Sequence, residues 1–225
     1  MSPALPRTSF NSSSLVRALS NLTRSGMAAA DVVDATDSKQ TLAERLSPWL
    51  AWTDAIALSA VLEGGSALML SDTPSDGTAS VIDEWARVRA ELTRAITADP
   101  VFATDHAGSA ASFAPYRHRY VTHQRAMEAR IGRLRAKVRA ALAGHSPKLR
   151  RLAALDAVLE HALSARERQL LSTVPKWLEK HFERLRHGQQ ELDGKDMQGV
   201  LLAELETRLQ PVEGMIDALG NEAQS

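Results

Sequence analysis

The chain contains no cysteine. That excludes disulfides, thiolate metal sites and thiol catalysis, and it suits a reducing compartment. Aromatic residues are scarce at 4%, so leucine, alanine and valine must fill most of the core. Such a composition suits helices, which need strong helix formers and small residues at close contacts. No run approaches 18 apolar residues, so no membrane-spanning helix is expected. The opening "MSPALPRTSFNSSSLVRALSNLTRSG" lacks the apolar stretch of a secretory signal, and the expected location is the cytoplasm. Nowhere do β-branched residues alternate convincingly, so no strands are expected.

The chemical signatures of catalysis are absent too. Seven histidines, His106, His118, His123, His145, His161, His181 and His187, form no HExxH or related ligand pattern. "EGGSA" is followed by no Walker lysine, and no G-x-S-x-G elbow occurs. Glu179, Glu183 and His187 share one helix face, but Lys176, Lys180, Arg184 and Arg186 are interleaved with them, as on a solvated face with local ion pairs. Asp54 lies inside the apolar "WLAWTDAIALSAVL". It must either find a partner, such as an arginine of the basic segment, or occupy a wetted edge. No catalytic residue, metal or cofactor is expected, and the protein reads as a non-enzyme.

Net charge is also missing, with 27 basic and 27 acidic residues, yet the charge is unevenly placed. Residues 1–110 hold 8 basic and 13 acidic side chains, residues 111–152 hold 11 and 1, and residues 153–225 hold 8 and 13. Such asymmetry marks an interaction surface. Because the flanking blocks cancel the middle one, pairing within the chain is the simplest outcome.

At 225 residues there is ample length for a packed core. Residues 1–10 read as a tail, 11–110 as an N-terminal helical region, 111–220 as a long helical hairpin with C-terminal helices, and 221–225 as a tail. In the first region, "SSSLVRALSNLTRSG" is a helix stopped at Gly26. A helical segment starts near Ser38, and Ser47-Pro48 opens "PWLAWTDAIALSAVL", apolar on nearly every face and expected to be buried all round. The stretch 63–80 reads as a linker, with Ser80 capping a helix that carries Val81, Trp85, Val88, Leu92 and Ile96 and ends at Asp99-Pro100.

The basic segment "YRHRYVTHQRAMEARIGRLRAKVRAALAG", Tyr116–Gly144, is the strongest feature. Tyr120, Gln124, Met127, Ile131, Leu134, Val138 and Ala141 recur at spacings of four and three, a heptad seam broken only by Gln124. Helix 116–143 would be about 42 Å long. Arg119, Arg125, Arg130, Arg133, Arg135, Lys137 and Arg139 lie off that seam and form the expected interaction surface. Arg130, Arg135 and Lys137 flank the seam, while Arg125, Arg133 and Arg139 are expected on the outer face. They suit either acidic neighbours such as Asp156, Glu160, Glu167, Glu179 and Glu183 or phosphates. Tyr116 and Tyr120 suit base stacking or a core. Thr122, Ala129 and Ala136 leave a small-residue face able to take another helix.

After the turn "AGHSP" a second helix carries Leu149, Leu152, Leu155, Leu159, Leu163 and Leu170, antiparallel to the first. Pro175 kinks or restarts it. "VPKWLEKHFERLRHG" then presents Val174, Trp177, Leu178, His181, Phe182 and Leu185. The final helical region, from Lys195, is expected to break or kink at Pro211. The fold class is all-α, a helical bundle built on a long antiparallel hairpin with a kinked C-terminal extension.

The segments "TLAERLSPWLAWTDAIALSAVL", "FAPYRHRYVTHQRAMEARIGRLRAKVRAAL", "LAALDAVLEHALSARERQLLSTVPKWLEKHFERL" and "DMQGVLLAELETRLQPVEGMIDAL" together resemble a proteobacterial family known only as a domain of unknown function, over roughly residues 8–220. The family carries no assigned catalytic residues. Its genes lie beside those for a membrane protein with a long coiled-coil tail and an outer-membrane-protein-A-like protein. The resemblance therefore implies an accessory subunit of an envelope-associated, proton-channel-like complex. The expected function is a non-enzymatic adaptor binding a helical or coiled-coil partner, or a second copy of itself. The alternative is a nucleic-acid-binding protein using helix 116–143.

Overall fold

A computed structural model describes residues 14–26, 52–62, 77–103, 112–187 and 194–222. Every regular element among them is an α-helix: α1 Ser14–Gly26, α2 Trp52–Leu62, α3 Gly77–Thr97, α4 Pro100–Ala103, α5 Ala114–Ala143, α6 Pro147–Leu171, α7 Val174–His187 and α8 Gly194–Glu222. The all-α bundle expected from the sequence is what forms. The helical start expected near Ser38, the Ser47-Pro48 cap and most of the 63–80 linker lie outside the described residues. Gly77–Ser80 does not: it is already the first turn of α3, so Ser80 is no cap. Among the described residues no helix is long and apolar enough to cross a membrane.

The basic helix starts where its sequence dictates. Ser112 Oγ accepts the Ala114 N–H at 3.2 Å, and Pro115 sits in the first turn, where its missing donor costs nothing. Gly144 ends the helix, its N–H reaching the Ala141 carbonyl at 3.0 Å. Ser146 then caps α6, its Oγ accepting the Leu149 N–H at 3.3 Å, with Pro147 as first residue. This short turn folds α6 back against α5. The buried line of α5 is Tyr116, Tyr120, His123, Gln124, Met127, Ile131, Leu134, Val138 and Leu142. The heptad seam is therefore the core face, with Leu142 replacing Ala141 at its end.

Helix α5 is covered by α8, α6 and α3 together, and not by its hairpin neighbour alone. Helix α8 also packs on α1, α3, α4 and α6, and it buries Met197, Val200, Leu201, Leu205, Leu209, Val212 and Leu219. It runs unbroken through Pro211, whose ring faces solvent, so the C-terminal region is the centre of the bundle and not an appendage. Its first residue has to be glycine, since a Cβ on Gly194 would collide with the backbone carbonyl of Phe102 in α4.

Helix α3 lies across α5 and α8, burying Val88, Leu92 and Ile96, with Val81 and Trp85 packed at the edge. Helix α6 is less enclosed than its leucines suggested. Leu149 and Leu171 are buried, Leu152, Leu155, Leu159 and Leu163 are half-buried, and Leu170 is 46% exposed. Helix α2 packs on α6, but it is not buried all round: Ile56 and Leu62 are 55% and 57% exposed. Asp54 is half-buried on it. The reason is topological, since α2 has one substantial helix neighbour among the described residues.

Candidate functional site

The site is α5 and the acids that surround it. On one flank, Arg135 and Arg139 reach α6. Arg135 makes a forked contact with Asp156, Nη2 to Oδ1 at 2.7 Å and Nε to Oδ2 at 2.9 Å. Arg139 Nη1 bonds Asp156 Oδ2 at 2.9 Å and also Glu160. The Arg135 and Asp156 side chains are only 14% and 8% exposed, a geometry in which a bidentate guanidinium pair is strong and directional. Burial acts to lower the Arg139 pKa, but hydrogen bonds to Glu160 and Asp156 outweigh it and raise it.

On the opposite flank, Arg130 bonds Glu91 at 3.0 Å and Lys137 bonds Glu84 at 2.6 Å, both acids on α3. At the α3–α4 junction, Asp99 is almost completely buried. It accepts from Arg119 Nε at 2.8 Å, meets His123 Nε2 at 2.7 Å, and accepts the Val101 N–H at 3.0 Å. Burial pushes the Asp99 carboxyl up, yet these hydrogen bonds and the Arg119 charge prevail and hold it below its ordinary value. Nearer the start of α5, Arg117 meets Glu179 of α7 at 3.5 Å.

Beneath the seam lies a buried polar node. Glu204 of α8 is closed to solvent. It accepts from Tyr120 Oη at 3.0 Å, Gln124 Nε2 at 3.0 Å and Arg208 Nη2 at 2.8 Å. Gln124 also donates to the Leu171 carbonyl at 3.0 Å. The one polar residue of the seam thus joins α5, α6 and α8. Burial, then the Glu204 charge, raise the Tyr120 pKa well above its ordinary value, so it stays a donor. Tyr116 and Tyr120 belong to the core and present no stacking platform for bases.

Five of the seven basic residues singled out from the sequence, Arg119, Arg130, Arg135, Lys137 and Arg139, are therefore paired within the bundle. Arg139 is one of them, and it does not lie on the outer face as its position suggested. Arg125 and Arg133 differ. Both are exposed, and neither has an ion pair or hydrogen bond among the described residues. They share the outer side of α5 with His118, Thr122, Ala129, Ala136 and Ala140, all exposed and recurring at spacings of three and four, opposite the seam. Of the acids expected opposite the helix, Asp156, Glu160 and Glu179 do pair with it. Those on α3 were not anticipated. Their signal was the i, i+7 spacing of Glu84 and Glu91, which repeats that of Arg130 and Lys137. Glu204 had no comparable signal, being one of several acids in an acidic segment.

Among the described residues no three His, Asp or Glu side chains converge as metal ligands, and Glu179 of the Glu179–Glu183–His187 face is engaged by Arg117. The chain belongs to the family described as "Protein of unknown function (DUF3348)", whose model matches residues 1–195 and 192–221. No curated protein and no solved structure matches it.

Proposed function

We propose that this member of the DUF3348 family is a non-enzymatic helical adaptor that binds another helical protein, with the outer side of α5 as its docking face. One observation carries the reading. The bundle neutralises the flanking cations of α5 and leaves Arg125 and Arg133 exposed and unpaired among the described residues. They are separated by about 12 Å along the axis, eight residues at 1.5 Å each. The side chains around them, Thr122, Ala129, Ala136 and Ala140, are small, so a second helix can approach closely. Two guanidinium groups on such a face select carboxylates on the partner and set its register. The coiled-coil tail that the family resemblance implies as a neighbour is a partner of this kind, reached from the cytoplasm. A phosphate-binding helix would instead keep most of its cations for the ligand.

The test is a photo-crosslinking residue in place of Ala129, in the host cell. The expected result is an adduct that maps to a carboxylate-bearing helix of another protein. It should be lost in Arg125→Glu/Arg133→Glu, with the melting temperature unchanged. An adduct to nucleic acid, or one indifferent to the double reversal, overturns the reading. An adduct between two copies of this chain assigns the face to self-association.

A further inference from the structure

Helix α7 is amphipathic. Its buried face is Val174, Pro175, Leu178, Phe182 and Leu185, interrupted by one titratable group, His181. Among the described residues the helix packs chiefly on α5. Phe182 meets Phe113, just ahead of α5, with ring centroids 5.5 Å apart. His181 is 3% exposed and stacks on Trp177, with centroids 5.3 Å apart and planes 10° from parallel. Its Nδ1 is shut off from solvent and has no hydrogen-bond partner among the described residues. A neutral imidazole can leave one nitrogen as a bare acceptor at modest cost. An imidazolium carries N–H donors on both nitrogens, and a buried charged donor without an acceptor is expensive.

The charges around it do not remove that cost. On α7 itself, Arg184 opposes a positive imidazole, while Asp196 in the first turn of α8 favours one. On α5, Arg117, the cation that reaches α7, is held by Glu179. Burial first, and then Arg184, outweigh Asp196 and keep the His181 pKa below its ordinary value.

We propose that α7 is an acid-releasable clasp: protonation of His181 frees the helix from α5 and uncovers the Phe113 surface beneath it. The released helix binds the proton more tightly than the docked one, so acid favours release. The effect is absent well above the ordinary imidazole value of 6.5. It grows as pH falls through that value and levels off once the docked form also protonates.

Hydrogen exchange on the full chain at pH 7.5 and 5.0, corrected for intrinsic rates, tests this. Protection of residues 176–187 should fall several-fold at the lower pH, with a ceiling of about thirtyfold for an open-state pKa near 6.5. Amides of α8 should lose less. His181→Phe should keep α7 protection equal at both pH values, and His181→Gln serves if the phenylalanine variant does not fold. Unchanged protection in the wild type overturns the proposal. So does a parallel loss across the whole bundle, or an equal loss in the His181 variant.

Discussion

Tyr120 of α5 donates a hydrogen bond to Glu204 of α8 at 3.0 Å, and both side chains are sealed from solvent. Gln124 and Arg208 complete the carboxylate's shell. Because Arg208 is nearly buried as well, removing the acid strands a charge. Glu204→Ala should cost about 3–5 kcal/mol, whereas Tyr120→Phe should cost about 1 kcal/mol. Urea unfolding measures both. A Glu204→Ala variant as stable as Tyr120→Phe would mean that the node is not closed.

The seam around that node is conventional core. Leu134 is 1% exposed and Ile131 is 6% exposed. Leu134→Ala and Ile131→Ala should each lower stability by about 2–5 kcal/mol, the range for truncating buried aliphatic side chains. Thermal melts within about a degree of wild type for both would contradict the packing of α5 on α8.

Charge reversal should divide the basic residues into two groups. Arg135→Glu faces Asp156 and Glu160 at a mostly buried position, and it should destabilise by more than about 2 kcal/mol. Arg125→Glu and Arg133→Glu, on the exposed side, should stay within about 0.5 kcal/mol of wild type. Arg139→Glu should behave like Arg135→Glu. Equal effects at Arg125 and Arg135 would refute the division.

Asp99 supplies a pH signature separate from that of His181. Its folded-state pKa lies below the ordinary value of 3.8 because hydrogen bonds from His123, Arg119 and the Val101 N–H overcome the opposing effect of burial. The unfolded chain therefore binds the proton first. The stabilisation is complete above the ordinary value and is lost as pH falls through it and below the folded one. The stability gap between wild type and Asp99→Asn, present at about pH 5, should narrow below about pH 4. Melting curves across that range measure it; a gap that closes near neutrality would point to another group.

Duplex DNA gives the sharpest test of what α5 is for. With its flanking cations paired to Asp99, Glu91, Glu84, Asp156 and Glu160, the helix releases few counterions on meeting phosphate. Binding at physiological salt should be absent or very weak. Micromolar binding with a steep salt slope, lost in Arg125→Glu/Arg133→Glu at unchanged melting temperature, would make α5 a phosphate-binding helix.

Most of the helices, and the buried faces of α3, α5 and α7, were legible in the sequence. Spacings of three and four mark the α5 seam from Tyr120 to Val138, Ser146-Pro147 marks the start of α6, and the α7 face from Val174 to Leu185 is equally plain. These are local signals, carried by helix geometry and by caps within a few residues of each other. The α5–α6 pairing follows from the short turn between them, but the other helix contacts were set by tertiary packing. The seam pattern says that α5 needs a partner, and both α6 and α8 had leucines to offer. Only the packed bundle put α8 at the centre, left Leu170 and Ile56 outside, and carried a continuous helix past Pro211. The charges followed the same rule. Arg139 and Arg133 look alike along the chain, but one faces Asp156 across the α5–α6 contact and the other faces water. Pairing between helices depends on groups brought within about 4 Å by folding, and no spacing within one helix contains that distance.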